Sequence, residues 1–122
     1  MTLHRVLVVE DDPPIARLVA RTARFEGADV TMVADGLEAR DEWERGSFAL
    51  VLLDAMLPGL DGISLCRERR RAGDRTPVIL ITARQVGEIV ELAREAGIDE
   101  VLGKPFAYDE LVGILRRYLH AV

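Results

Sequence analysis

Asp54 ends the apolar run Ala49-Leu50-Val51-Leu52-Leu53, and Glu10-Asp11-Asp12 follow the run Val6-Leu7-Val8-Val9. Carboxylates therefore stand where two buried strands should emerge. A buried charge without a partner is costly, so each run must end at an opening where a cation or a donor waits. The run Val78-Ile79-Leu80-Ile81 ends in Thr82, and Val101-Leu102-Gly103 ends in Lys104 before Pro105. Brought together, Glu10, Asp11 and Asp54 would repel by about 4 kcal/mol for two unit charges ~4 Å apart at an effective dielectric near 20. A divalent cation relieves that repulsion, and a few hard oxygen ligands suit Mg²⁺, which keeps several waters and takes a phosphate oxygen. A site of this kind can receive a phosphoryl group, with Asp54 as nucleophile and Lys104 and Thr82 donating to the phosphoryl oxygens.

To gather these groups, the chain must deliver the ends of four strands to one edge. The sequence alternates short strand patterns near 4–9, 28–33, 49–54, 77–82 and 99–103 with a helical pattern after each. Ile15, Leu18, Val19 and Thr22 recur at helical spacing, as do Val86, Ile89, Val90 and Ala93, and Leu111, Ile114, Leu115 and Tyr118. Each set predicts one apolar face laid on a sheet. Asp12-Pro13, Asp35-Gly36 and Asp61-Gly62 supply helix N-caps. Gly27, Gly46, Gly73 and Gly97 stand where left-handed C-terminal caps would be wanted. Five such βα units give a parallel sheet with helices on both faces and ligands at the carboxyl ends of its strands.

The 122 residues, 49% hydrophobic, suit one compact domain spanning 1–122. A net charge of -5 and a pI near 5.0 argue against a nucleic-acid surface. The basic run Arg67-Glu68-Arg69-Arg70-Arg71 reads as the solvated end of a helix, complementing its dipole. Cys66, the one cysteine, excludes an internal disulfide and fits a reducing compartment. No signal region precedes the first strand, and no apolar stretch approaches the ~20 residues of a membrane span. A cytoplasmic location is expected. Asp12 and Asp61 read as caps, Cys66 and Trp43 as packing groups, and His4 and His120 as solvated.

Together, Glu10-Asp11-Asp12, the stretch from Asp54 through Met56, Pro58 and Gly59 to Asp61-Gly62, Thr82-Ala83 and Lys104-Pro105-Phe106 resemble the receiver domain of bacterial two-component response regulators. The resemblance covers the whole chain in order and spacing. It implies a flavodoxin-like (βα)5 fold, a five-stranded doubly wound parallel sheet of order 2-1-3-4-5. It further implies that Asp54 accepts phosphate from a histidine kinase or a histidine phosphotransfer protein. Asp11, Asp54 and the backbone carbonyl of Met56 would bind Mg²⁺, with Glu10 acting through water. Thr82 and Lys104 would hold the acyl phosphate, and Lys104-Pro105 would be a cis peptide. An effector domain or a separate downstream protein would read the signal, through a phosphorylation-dependent dimer in some members.

Two positions depart from the family pattern. Val101 replaces the usual aromatic switch, and Ile114 stands where an arginine is common in the winged-helix transcription-factor subgroup. These departures weigh against that subgroup's dimer and DNA-binding output, without touching the phosphorylation site. Val101 is short and stiff at χ1, so the signal should travel through the loop from Ala83 to Gly87 and the next helix, switching the face that this helix forms with the last strand and last helix. Met56 and Arg84, each two residues beyond a site residue, should obstruct water attack and lengthen the phosphorylated lifetime. The domain would thus be a switch rather than an enzyme, catalysing only its own phosphorylation and hydrolysis. A phosphohydrolase of the haloacid dehalogenase type would need an acid/base two residues after its nucleophile, and Met56 cannot serve. A flavodoxin-like module with a vestigial site would not need every one of these side chains.

Overall fold

The computed structural model describes residues 4–120. Ten elements alternate strictly: β1 (His4–Val9), α1 (Pro13–Phe25), β2 (Ala28–Val33), α2 (Gly36–Arg45), β3 (Leu50–Asp54), α3 (Gly62–Arg71), β4 (Val78–Thr82), α4 (Val86–Ala96), β5 (Glu100–Gly103) and α5 (Tyr108–Leu119). All four strand pairings are parallel, and the sheet runs β2-β1-β3-β4-β5. The expected strand order is therefore present. The order reverses at β1, so the loops after β1 and β3 leave the sheet toward opposite sides and open a crevice between them.

Helices on both faces turn the central strands into continuous apolar runs. Every residue of β3 and β4 is buried. One core layer joins Leu7, Val51, Leu53 and Leu80 to Trp43, Leu65, Cys66 and Ile89 from α2, α3 and α4. The other joins Val8, Leu52 and Ile79 to Val19 and Ala23 of α1 and Leu111, Ile114 and Leu115 of α5. Trp43 and Cys66 are packing groups, as their sequence setting suggests. Asp12, Asp35 and Asp61 each accept a hydrogen bond from the backbone N–H three residues on, at 3.4, 2.8 and 2.9 Å. His4 is exposed, whereas half-exposed His120 lies 3.0 Å from the Glu26 carbonyl.

Several expectations need correction. Leu18 of α1 is 37% exposed, and the buried face is instead Ala16, Val19, Ala20, Thr22 and Ala23. Small side chains let this helix lie close to the sheet, which rotates its inward face away from the larger apolar residues. In α4 the buried positions are Ile89, Ala93 and Ala96, while Val86 and Val90 remain exposed. Gly27, Gly73 and Gly97 have positive φ, but Gly46 does not: its φ is -96°. Gly46 is needed for space, because a Cβ there would come within 2.6 Å of the Phe48 ring. The basic run is not simply solvated either. Arg69 pairs with Glu44 and Asp74, and Arg70 with Asp99, their side chains only 14% and 20% exposed.

Candidate functional site

Strands β1 and β3 are adjacent and parallel, with Val9 opposite Leu53. Their last side chains therefore meet at the carboxyl edge. Glu10 and Asp54 are buried, Asp11 is exposed, and carboxylate oxygens of all three lie within 4.8 Å of one another. Lys104, from the loop after β5, reaches across two strand ends. Its Nζ is 2.8 Å from Glu10 Oε1 and 3.3 Å from Asp54 Oδ2. The pocket they share, about 530 Å³, is lined by Glu10, Asp11, Asp12, Pro13, Asp54, Met56, Ala83 and Lys104.

The electrostatics are those of too many acids for one lysine. Burial, followed by a shared hydrogen bond with Asp54, pushes the Glu10 carboxyl up to about 7, although Lys104 and the Asp12 N–H pull the other way. Burial alone would weaken the Lys104 ammonium, but Glu10 and Asp54 outweigh it and raise its pKa. The Asp12 N–H donates to Glu10 Oε2 at 3.2 Å. Glu10 Oε1 is buried with no hydrogen bond of good direction, only the ammonium beside it. Two buried carboxylates and an exposed one, sharing a single ammonium, are a donor set that fits a hard divalent cation.

The loop after β3 is folded back on Asp54. Met56 N–H donates to Asp54 Oδ1 at 3.1 Å, Gly62 N–H to Ala55 O at 3.0 Å, and Ala55 N–H to Ile81 O at 3.0 Å. A Cβ on Gly62 would run into the Asp54 carbonyl oxygen, so only glycine permits this return. Thr82 is fully buried, and its hydroxyl accepts the Arg84 N–H at 3.0 Å. Thr82 O in turn accepts the Lys104 N–H at 2.7 Å, and the Lys104–Pro105 peptide is cis. Val101 is half-buried against the core layer of α2, α3 and α4. Exposed Met56 borders both the Asp54 pocket and a neighbouring groove of about 550 Å³; Arg84 borders that groove only.

Sequence reasoning missed two contributions. Gly62 was legible as the residue after a cap, yet its spacing from Asp54 does not reveal the backbone contact. The Arg69–Arg70 cluster was legible as charge, but its partners Glu44, Asp74, Gly97 and Asp99 come from three other places in the chain.

Residues 6–116 match the family model of the response regulator receiver domain. The transcriptional regulatory protein TcrA of Mycobacterium tuberculosis is 43% identical over 112 residues, which make up 92% of this chain and 44% of that protein. The response regulator MprA of a Mycobacterium species is 38% identical over 94% of this chain and 50% of its own length. The chain thus spans about half the length of these curated relatives. Among solved structures, the receiver domain of the sensor histidine kinase PA1611 from Pseudomonas aeruginosa superposes with a TM-score of 0.86 at 37% identity, covering 98% of this chain and all of that one. That structure has a magnesium ion coordinated in its active-site cleft.

Proposed function

Because the chain belongs to the response regulator receiver domain family of two-component systems, we propose that it is a phosphorylation switch in which Asp54 accepts a phosphoryl group from a histidine kinase or a histidine phosphotransfer protein. The observation that carries this reading is the buried Glu10–Asp54–Lys104 cluster at the mouth of the β1–β3 crevice.

In this mechanism, Asp11, Asp54 and the backbone carbonyl of Met56 would hold Mg²⁺, with Glu10 assisting through water, and the ion would supply charge to offset phosphoryl oxygens and the repulsion among the carboxylates. One Asp54 oxygen attacks phosphorus in line, and the leaving nitrogen of the donor departs from the opposite side. Lys104 exchanges its contact with Asp54, whose carboxylate loses its charge on becoming an acyl phosphate, for one with a charged phosphoryl oxygen. The Thr82 hydroxyl turns to donate to another such oxygen and gives up its place as acceptor for Arg84 N–H. That exchange releases the segment from Ala83 to Gly87, leading to α4, which is then free to shift. Half-buried Val101 has no ring to rotate into the space behind Thr82, so the loop and α4 carry the change to the face of α4, β5 and α5.

Among the described residues no helix is long and apolar enough to cross a membrane. We further propose that the switch is cytoplasmic and signals to an effector domain or a separate protein, and the net charge of -5 speaks against nucleic-acid binding by this chain itself. Incubation with acetyl phosphate and Mg²⁺ tests the proposal. The wild-type chain should gain one phosphoryl group, and Asp54→Asn, or wild type in EDTA, none. Equal labelling of wild type and Asp54→Asn would overturn the assignment.

A further inference from the structure

The two ends of α4 are held very differently. At its C-terminal end Gly97 adopts φ 88°, and Ile98 N–H donates to Ala93 O at 3.0 Å. Arg70 of α3 lies directly over this cap: a Cβ on Gly97 would sit 2.7 Å from Arg70 Cγ. The guanidinium donates to Gly97 O at 3.0 Å through Nε, to Asp74 O at 3.1 Å through Nη1 and to Asp99 Oδ2 at 3.2 Å through Nη2. Asp99 Oδ2 also accepts the Val78 N–H at 2.8 Å, which ties the same cluster to the start of β4. One planar fork thus joins the end of α4, the loop after α3 and the sheet, a geometry that a single ammonium could not reproduce.

At the other end, Gln85 provides no side-chain cap. Ala83, Arg84 and Gln85 are exposed, and so are Val86 and Val90 of the first turns. Gly87 has open space where a Cβ would be. The helix is therefore stapled at Gly97 and lightly held at Val86.

We infer that Arg70 is a positioning residue for the switch: it fixes the C-terminal end of α4, so that displacement of the segment released after Thr82 swings the N-terminal end about Gly97 instead of sliding the whole helix. This rests on the phosphorylation reading above, and it makes Val86, Val90 and the Ala83–Gln85 loop the surface that changes. Helix ends with few buried contacts are the low-stability regions from which moving elements are drawn.

Two-dimensional amide NMR with and without beryllofluoride and Mg²⁺ provides the test. In wild type the shift changes should be large at Asp54–Met56 and from Thr82 to Ile89, and several-fold smaller from Arg94 to Asp99. In Arg70→Ala the changes should extend through Arg94–Asp99 and become even along the helix. Arg70→Lys keeps a cation beside Asp99 but loses the three-way fork, and it should show the same even profile with a smaller loss of thermal stability; if Arg70→Ala does not fold, this variant decides. Large changes at Asp54–Met56 with an even profile in wild type would overturn the pivot alone, as would a variant profile identical to wild type. No change at Asp54–Met56 would overturn the phosphorylation reading and the pivot with it.

Discussion

A carboxylate at the end of a fully buried strand is tolerable only in company, and Asp54 has Lys104 at 3.3 Å and the Met56 N–H at 3.1 Å. Its surroundings also decide how long a phosphoryl group would last. Met56 is exposed at the mouth of the pocket, and Arg84 stands in the adjoining groove. Both are long enough to obstruct in-line attack by water, so the double substitution Met56→Ala, Arg84→Ala should shorten the half-life of the phosphorylated chain several-fold, as followed by release of phosphate; an unchanged half-life would remove the shielding argument. Gly62 makes a different demand, because its missing Cβ is the room occupied by the Asp54 carbonyl. Gly62→Ala should cost roughly 2 kcal/mol or more, as expected for overpacking against backbone, and should weaken Mg²⁺ binding by moving the Met56 carbonyl. Urea unfolding monitored by the emission of Trp43 measures the first effect, and a loss under ~0.5 kcal/mol, the level of a neutral surface change, would contradict it.

Among the elements, the loop between α3 and β4 shows how charge holds two helices and the sheet together. Burial would raise the Asp74 carboxyl, but the backbone and hydroxyl of Thr76 and the Arg69 guanidinium outweigh it and hold Asp74 below the ordinary aspartate range. The unfolded chain then binds this proton more readily than the folded one. The stabilisation is therefore complete above the unfolded pKa and is lost as pH falls through the folded value. Asp74→Asn should be less stable than wild type at neutral pH, and the gap should narrow as pH falls below about 4, near the unperturbed aspartate pKa. Thermal unfolding across that range checks the prediction, and a gap that stays constant would contradict it. The same loop marks where element-level reading failed. Helical spacing located α1 and α4, but it assigned Leu18, Val86 and Val90 to the sheet, because alanine carries little weight in an apolar pattern although it decides how close a helix can pack. Charge alone likewise placed Arg69 and Arg70 in solvent, since a local run says nothing of Glu44, Gly97 or Asp99.

For the molecule as a whole, the sheet and its crevice were legible because the signal is repeated: five strand patterns, each followed by a helical one, with polar groups at four strand ends. Glu10, Asp11 and Asp54 meet because β1 and β3 are neighbours in the sheet, whereas Lys104 follows β5, beyond β4, and joins them by the reach of its long side chain. The upward shift of the Glu10 carboxyl was not legible, because it depends on burial and on crowding beside Asp54. In the proposed switch Asp54 is the single phosphoacceptor among several nearby carboxylates. Borohydride reduction of the phosphorylated chain tests that directly, since an aspartyl phosphate is reduced to homoserine while free carboxylates are untouched. Peptide mapping should find homoserine at position 54 and nowhere else; homoserine at position 11 or 12 instead, or aspartate retained at 54 in fully labelled protein, would contradict the account.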